Sequence, residues 1–383
     1  MRPRMIAGLA VILTIYSLIV WYIGWNGWVY ARTLFGWSHL PVYTSLVIVI
    51  GLSYILGRIG QNKPIVRPAA QLLKLIGSYW FAVIQYSVLV LPAADLAAWM
   101  LKLAGAPKSM YIGLIGTIVL ALLSALLIRG SWNAWNPIVR TYRVTIPKGA
   151  GEPKSLRIGA ASDLHLGTIV GNRHLRKLVS EMERMQPDLI LLPGDVIDDD
   201  IRPFIHRRMG EVIGELKAPL GVYAVLGNHE YIGGHIAEYT AEMDAAGIRV
   251  LQDEHVLIDD SFYLIGRKDR AAQGFRAGGR LSIAELLEEV PHKELPLVMM
   301  DHQPSDLTAA ANLGIDLTLS GHTHRGQMMP NHLITRRIFE VDWGYLRKGN
   351  LHAIVSSGFG TWGPPIRIGS RSEIVEIIVD FTG

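Results

Sequence analysis

Four long apolar segments fill the first third of the chain, and they limit its fold more than any other feature. Each has about the 20 mostly apolar residues that an α-helix needs to cross a hydrocarbon core of about 30 Å. Tryptophans crowd the ends of these segments, as they do at membrane interfaces. We therefore predict a bundle of four transmembrane helices within residues 1–130. The segments span residues 5–25, 40–59, 75–101 and 110–128.

The composition supports a membrane portion, because half of the 383 residues are hydrophobic and 18% are charged. The first segment has the alternative of a cleaved signal peptide. However, Trp25 to Trp28 follow it where small residues would mark a cleavage site, which favours a retained helix. Asp95 interrupts the third segment, and we expect it to face a partner helix or polar cavity, or to lie at the interface.

Basic residues predict how these helices are oriented. The loops that follow the first and third segments hold only Arg32 and the pair Lys102 and Lys108. By the positive-inside rule, the N-terminus and everything after the fourth segment are cytoplasmic in a multi-pass cell-membrane protein. The net charge of +4 fits such basic flanks better than it fits nucleic-acid binding. The basic residues on the predicted cytoplasmic side are Arg2, Arg4, Arg58, Lys63, Arg67, Lys74, Arg129, Arg140, Arg143 and Lys148.

After Pro137 the pattern changes to that of an α/β domain. Short apolar runs alternate with the helix-length segments 173–185 and 204–217, which predicts a largely parallel sheet flanked by helices. Strand-like runs near the C-terminus make the sheets mixed. We place a linker and a first strand in residues 131–155 and an α/β domain in residues 156–383. The predicted strands are 156–161, 189–192, 222–226, 297–300, 317–319, 353–356 and 373–379.

Polar residues follow five of these strands directly, where open α/β sheets place their functional sites. The donors are carboxylate, amide and imidazole groups, and the chain contains no cysteine. Such a set suits Mn, Fe or Zn, and seven donors suit two divalent ions that share a bridging carboxylate. The seven are Asp163, His165, Asp195, Asn228, His302, His322 and His324.

The ordered blocks resemble the calcineurin-like metallophosphoesterase superfamily. They are Asp163-Leu164-His165, Gly194-Asp195, Gly227-Asn228-His229-Glu230, His302 and Gly321-His322-Thr323-His324. The resemblance implies that Asp163, His165, Asp195 and His324 hold one ion. It implies that Asp195, Asn228, His302 and His322 hold the other. His229 is then a general acid or charge stabiliser, and Asp198 orients the site, whereas Asp199 and Asp200 are expected in a solvated loop.

The sequence around the last block, Gly321 to Gln327, and the tail from Ser357 to Arg367 are similar to a bacterial membrane-associated subgroup. It includes phosphodiesterases and enzymes that hydrolyse UDP-2,3-diacylglucosamine. The implied reaction is hydrolysis of a phosphodiester or pyrophosphate bond by metal-activated hydroxide, because a bound ion lowers the pKa of water to about 7. Arg325 and Arg367 are either phosphate contacts or surface arginines.

Three functions follow as alternatives. The first is an enzyme that acts on a lipid or lipid-linked phosphate substrate beside the bilayer. The second is the same chemistry on soluble nucleotides, with the helices as an anchor. The third is a non-enzymatic membrane scaffold, which the complete set of ligands argues against.

Overall fold

The computed structural model describes residues 3–61, 63–151, 154–274 and 279–383. The chain divides into two compact units. One unit comprises Met1–Ser131 with Gly363–Ile366, and the other comprises Trp132–Trp362 with Arg367–Gly383. The first is helical, and the second contains all of the described strands.

Four long helices form the first unit. They are α1 (Pro3–Phe35), α2 (Leu40–Gly60), α3 (Arg67–Leu103) and α4 (Lys108–Trp135), with a short 3₁₀ turn at Pro64–Val66. Each is long and apolar enough to cross a membrane, which confirms the four predicted spans. The helix α3 begins eight residues before the predicted segment, because its polar first turns lie outside the apolar run that marks the span.

Two glycines let α2 and α3 pack with their backbones close together. A methyl group added at Gly57 of α2 would overlap the backbone of Lys74 in α3. A methyl group added at Gly77 of α3 would overlap the backbone of Tyr54 in α2. Small residues at a crossing are typical of membrane helices, where close van der Waals packing drives association.

We expect Gly77→Ala to lower the thermal unfolding midpoint of the detergent-purified protein, because overpacking costs roughly 1–3 kcal/mol. Gly8→Ala is the matched control, since nothing lies within 4 Å of a methyl group added there. Alanine is the better helix former by up to about 1 kcal/mol, so the control should be neutral or stabilising. Equal midpoints for the two variants would show that the crossing is not close-packed.

The second unit is built on two six-stranded mixed sheets. In the first sheet the order is β1-β12-β2-β3-β4-β5, and in the second it is β10-β11-β9-β8-β7-β6. The strands are β1 (Ile138–Ile146), β2 (Ser155–Ala160), β3 (Leu189–Pro193), β4 (Val222–Val225), β5 (Arg249–Leu251), β6 (Glu254–Ile258), β7 (Phe262–Gly266), β8 (Leu297–Met300), β9 (Leu317–Ser320), β10 (Gly344–Lys348), β11 (Leu351–Val355) and β12 (Glu373–Phe381).

Strand pairing explains the mixed character. β2 to β5 run parallel to one another, as do β7, β8, β9 and β11. The C-terminal strand β12 inserts between β1 and β2, parallel to the first and antiparallel to the second. The strand in residues 138–146 therefore belongs to the first sheet.

Among the described residues of the second unit, eight α-helices flank the sheets. The prediction of one helix over residues 204–217 is wrong, because Arg208 adopts a left-handed conformation (φ 50°) and separates two short helices. The helices are α5 (Asn172–Met185), α6 (Arg202–His206), α7 (Met209–Ile213), α8 (Asn228–Gly233), α9 (Ile236–Ala245), α10 (Ile283–Glu288), α11 (Leu307–Asn312) and α12 (His332–Ile338).

The main core lies between the two sheets. Leu191 of the first sheet and Leu264 of the second belong to one fully buried cluster. Neighbouring residues on each strand face the other way, so that Ile190 packs under α5 and Met299 packs under α10 and α11. Face-to-face packing thus brings the carboxyl ends of β2, β3 and β4 beside those of β8 and β9.

Candidate metal centre

The loops that follow β2, β3, β4, β8 and β9 converge and bring all seven predicted donors together. The first sheet supplies Asp163, His165, Asp195 and Asn228, and the second supplies His302, His322 and His324. Neither sheet holds the complete set. The centre therefore depends on how the two sheets pack against each other.

Five of these residues adopt the left-handed backbone conformation. Their φ angles lie between 46° and 69°, a region that non-glycine residues rarely occupy and that Asp and His tolerate better than most. Such positions cost roughly 1–3 kcal/mol each and are common at functional sites. These tight turns direct side chains from neighbouring loops toward one point. The residues are Asp163, His165, Asp195, His322 and His324.

One group of donors contains Asp163, His165 and His324, whose ligand atoms lie within 4.8 Å of one another. The Nε2 atoms of His165 and His324 are 3.0 Å apart. The Nε2 atom of His324 is 3.5 Å from Asp163 Oδ1, and that of His165 is 4.0 Å from Asp195 Oδ2. Two nitrogens that each lie about 2.0–2.1 Å from one tetrahedral ion would be separated by ~3.3 Å, so the spacing suits a single ion.

A second group contains Asp195, His302 and His322, again with ligand atoms within 4.8 Å. Asn228 completes it, because its Oδ1 lies 2.8 Å from His322 Nδ1 and 3.2 Å from His302 Nε2. Asp195 Oδ2 is 3.0 Å from His302 Nε2. Asp195 therefore lies within reach of both groups.

Hydrogen bonds behind the donors fix their orientation. His302 Nδ1 is 2.8 Å from the carbonyl oxygen of Pro193, to which it donates, and this leaves Nε2 directed into the site. Ser162 donates to Asp163 Oδ2 at 2.5 Å, and the His322 backbone N–H donates to Asp163 Oδ1 at 2.9 Å. Such outer contacts hold metal ligands in place in other proteins. The donor set and its support therefore fit a pair of divalent ions.

Burial lowers the pKa of three donor histidines, whereas the charges of Asp195 and Asp163 outweigh burial at His302 and raise its pKa. Burial lowers the pKa of His165 to about 3 and that of His322 to about 4, and it lowers the pKa of His324 well below its ordinary value. Neutral imidazole has the lone pair that a metal needs. Burial also raises the pKa of Asp163 to about 6, and a nearby cation would favour its ionised form.

His229 lies beside the donors and is held by Asp199. Its Nδ1 is 2.7 Å from Asp199 Oδ1 and 3.8 Å from Asp198 Oδ1. Its ring packs edge-on against the ring of His165, with 4.7 Å between the ring centroids. Burial lowers the pKa of His229, but the hydrogen bond to Asp199 and the charges of Asp195 and Asp198 outweigh this and raise it to about 9. Asp199 therefore does not lie in a purely solvated loop, because it is the closer carboxylate to His229.

Glu230 connects two of the converging loops, a role that the sequence analysis did not assign. It is fully buried, and its carboxylate accepts hydrogen bonds from the backbone N–H groups of Asp195 (3.1 Å), Ile197 (3.0 Å) and Gly227 (2.7 Å). Burial raises the pKa of Glu230 to about 7. The only signal for this role in the sequence is that Glu230 ends the block Gly227-Asn228-His229-Glu230.

The two predicted substrate arginines lie in different environments. Arg367 is completely buried, and its guanidinium donates to the carbonyl oxygens of Gly358 and Gly360 and lies 3.3 Å from His324 Nδ1. This placement contradicts a substrate contact, because the group supports the loop behind His324. Arg325 is partly exposed and stacks over the Trp343 ring at 3.9 Å, so its predicted phosphate contact stays a prediction.

Comparisons with known proteins identify the family. A family model described as calcineurin-like phosphoesterase matches residues 156–326. An uncharacterized metallophosphoesterase of Aquifex aeolicus is 35% identical over 243 residues, which cover 62% of this chain and 88% of that protein. The chain belongs to the calcineurin-like phosphoesterase family. This confirms the superfamily that the five blocks predicted and makes the chain a metallophosphoesterase with His/Asp metal-site clusters.

Two vertebrate relatives of this chain are each named transmembrane protein with metallophosphoesterase domain. The Danio rerio protein is 30% identical over 286 residues, which cover 72% of this chain and 64% of that protein. The Bos taurus protein is 29% identical over 302 residues, which cover 75% of this chain and 68% of that protein. Together with the four apolar helices, these relatives indicate a membrane location.

We expect Asp199→Asn to lower kcat by roughly 10–100-fold, because an amide holds the His229 ring less firmly and removes a nearby negative charge. The measurement is steady-state hydrolysis of an activated phosphodiester, with metal content determined in parallel. Asp200→Asn is the matched control, since Asp200 accepts from Arg202. A variant with wild-type kcat would show that Asp199 does not position His229.

Proposed function

We propose that this chain is a membrane-anchored, binuclear-metal phosphoesterase that hydrolyses a phosphodiester or pyrophosphate bond in a lipid or lipid-linked substrate. The observation that carries the proposal is the convergence of seven oxygen and nitrogen donors from five strand ends. The buried donors include two carboxylates and three imidazoles, a set that suits a bound cation.

The two groups of donors support a specific assignment. Asp163, His165, Asp195 and His324 would hold one ion, and Asp195, Asn228, His302 and His322 would hold the other. Asp195 bridges them in this assignment, in keeping with its 3.0 Å and 4.0 Å distances to His302 and His165. Imidazole and carboxylate ligands without sulfur suit Mn, Fe or Zn.

When bound, two divalent ions would activate a water molecule and neutralise the phosphoryl oxygens. His229 would act on the leaving group, because Asp199 holds Nδ1 and leaves Nε2 as the free nitrogen. A protonated imidazole in this position can donate a proton to the departing oxygen. Arg325 lies one residue after His324 and is partly exposed, which suits a charge-assisted contact to phosphate.

The membrane helices support a lipid-linked substrate, because they hold the enzyme at the bilayer. The basic flanks of the helices support a cytoplasmic position for the N-terminus and for the metal centre. A cytoplasmic enzyme of this kind would meet lipid-linked phosphates of the inner leaflet. The alternative of soluble nucleotides is tested by comparing how fast the full-length protein hydrolyses a lipid-linked and a soluble substrate.

We expect detergent-purified protein to hydrolyse bis-p-nitrophenyl phosphate only with a divalent ion such as Mn²⁺. Asp195→Ala should lose both turnover and bound metal, because it removes the bridging carboxylate. His229→Ala should lose most of the turnover and keep its metal, since His229 is not a ligand in the assignment. The measurements are the rate of nitrophenol release and the metal content by mass spectrometry.

His292→Gln is the control for these variants, because His292 is exposed and pairs with Glu294. Wild-type protein without bound metal and without turnover at any divalent ion would refute the proposal. Substrate class is tested with full-length protein in vesicles that contain a lipid-linked diphosphate. Faster turnover of a soluble dinucleotide would replace the lipid substrate with the nucleotide alternative.

The orientation of the chain in the membrane can be tested by labelling single introduced cysteines, because the sequence contains no cysteine of its own. Ser38→Cys lies in the exposed loop between α1 and α2, and Ser180→Cys lies on the exposed face of α5. We expect a membrane-impermeant maleimide to label the first in intact cells and the second only after the cells are opened. The reverse pattern would place the metal centre outside the cytoplasm.

A further inference from the structure

Asp95 is the only acidic residue before Glu152, and it lies within the apolar helix α3. It lies seven residues, or roughly 10 Å along the helix, before Lys102 near the end of α3. An ionisable residue at such a position is unfavourable for membrane insertion and generally marks a functional site.

Asp95 has a single hydrogen-bond partner among the described residues, the hydroxyl group of Tyr22 on α1. No described lysine or arginine forms an ion pair with it. A carboxylate offers roughly four acceptor positions, so most of its capacity is unused within this unit. The Asp95 side chain is exposed at the edge of a cleft.

The cleft has a volume of about 490 Å³ and lies between α1, α3 and α4. Apolar side chains such as Val83, Leu91 and Val119 form most of its wall. Along α4 it extends from Tyr111 to Leu123, a distance of about 18 Å, which is roughly the depth of one leaflet. Among the described residues that line it, none is Lys or Arg.

Ser87 gives a second and independent indication of a ligand. Its side chain is 1% exposed, its Oγ has no hydrogen-bond partner among the described residues, and it lines the same cleft. It lies two helical turns from Asp95 on α3, about 12 Å deeper along the axis. A buried hydroxyl group without a partner destabilises the fold unless a ligand satisfies it.

We propose that this cleft binds a membrane lipid whose headgroup carries a primary ammonium group. The ammonium group donates to the Asp95 carboxylate and neutralises it, the acyl chains fill the apolar wall, and Ser87 donates to an ester carbonyl below the headgroup. An anionic headgroup is repelled by Asp95 and meets no cation in the cleft. A quaternary ammonium headgroup has no N–H to donate.

The test is native mass spectrometry of the full-length protein with phosphatidylethanolamine, phosphatidylcholine and phosphatidylglycerol that carry identical acyl chains. We expect phosphatidylethanolamine to bind about tenfold more tightly than the other two, which corresponds to about 1.4 kcal/mol. Asp95→Asn should abolish this preference, and Ser87→Ala should weaken binding of all three lipids. Tyr79→Phe is the control, because Tyr79 pairs with Ser131 and does not line the cleft.

A second variant keeps the proposal testable if Asp95→Asn does not fold. Ala98→Lys places an ammonium group one turn from Asp95 on the same wall of the cleft. This group should pair with Asp95 in place of the lipid ammonium group and remove the preference for phosphatidylethanolamine. Equal binding of the three lipids to wild-type protein would overturn the proposal. A preference that survives in both Asp95→Asn and Ala98→Lys would overturn it as well.

Discussion

The buried carboxylate of Asp195 is the group on which the metal centre depends. It is 2% exposed, and its two oxygens meet His302 Nε2 at 3.0 Å and the His229 backbone N–H at 2.9 Å. Its own N–H donates to Glu230. Removing a charge from water costs several kcal/mol unless partners replace the lost hydration. The loops after β3, β4 and β8 supply those partners. The buried position of Asp195 is therefore stable only when these loops come together.

The architecture of the second unit meets that requirement by stacking two sheets. Each sheet supplies part of the donor set at its carboxyl edge, and the core between the sheets fixes the distance between the two parts. Left-handed residues such as Asp163 and His324 then direct side chains inward at a cost in local backbone energy. The hydrogen bonds of Glu230 and the buried guanidinium of Arg367 offset part of that cost by holding the loops.

A carboxylate in the membrane unit also needs partners to replace its lost hydration, and fewer partners are present there. In the metal centre, imidazoles and backbone N–H groups surround each carboxylate. In the cleft between α1, α3 and α4, Asp95 has the hydroxyl group of Tyr22 as its partner among the described residues. A carboxylate with unused acceptor capacity beside an apolar cleft favours a ligand with a cationic head and an apolar chain. The two units thus represent two solutions to placing an acid away from water.

The sequence by itself determined the four membrane helices, eight of the described strands and the seven candidate donors, because apolar runs and the residues that end them are local features. It did not predict the strands β5, β6, β7 and β10. The tertiary structure decided what depends on distant partners. It placed Asp199 against a histidine 30 residues away, buried Arg367 behind a histidine 43 residues away, and inserted β12 between β1 and β2. It also broke residues 204–217 into two helices at Arg208. A local pattern reports whether a side chain is buried on average, whereas its partner is set by how the sheets and loops pack.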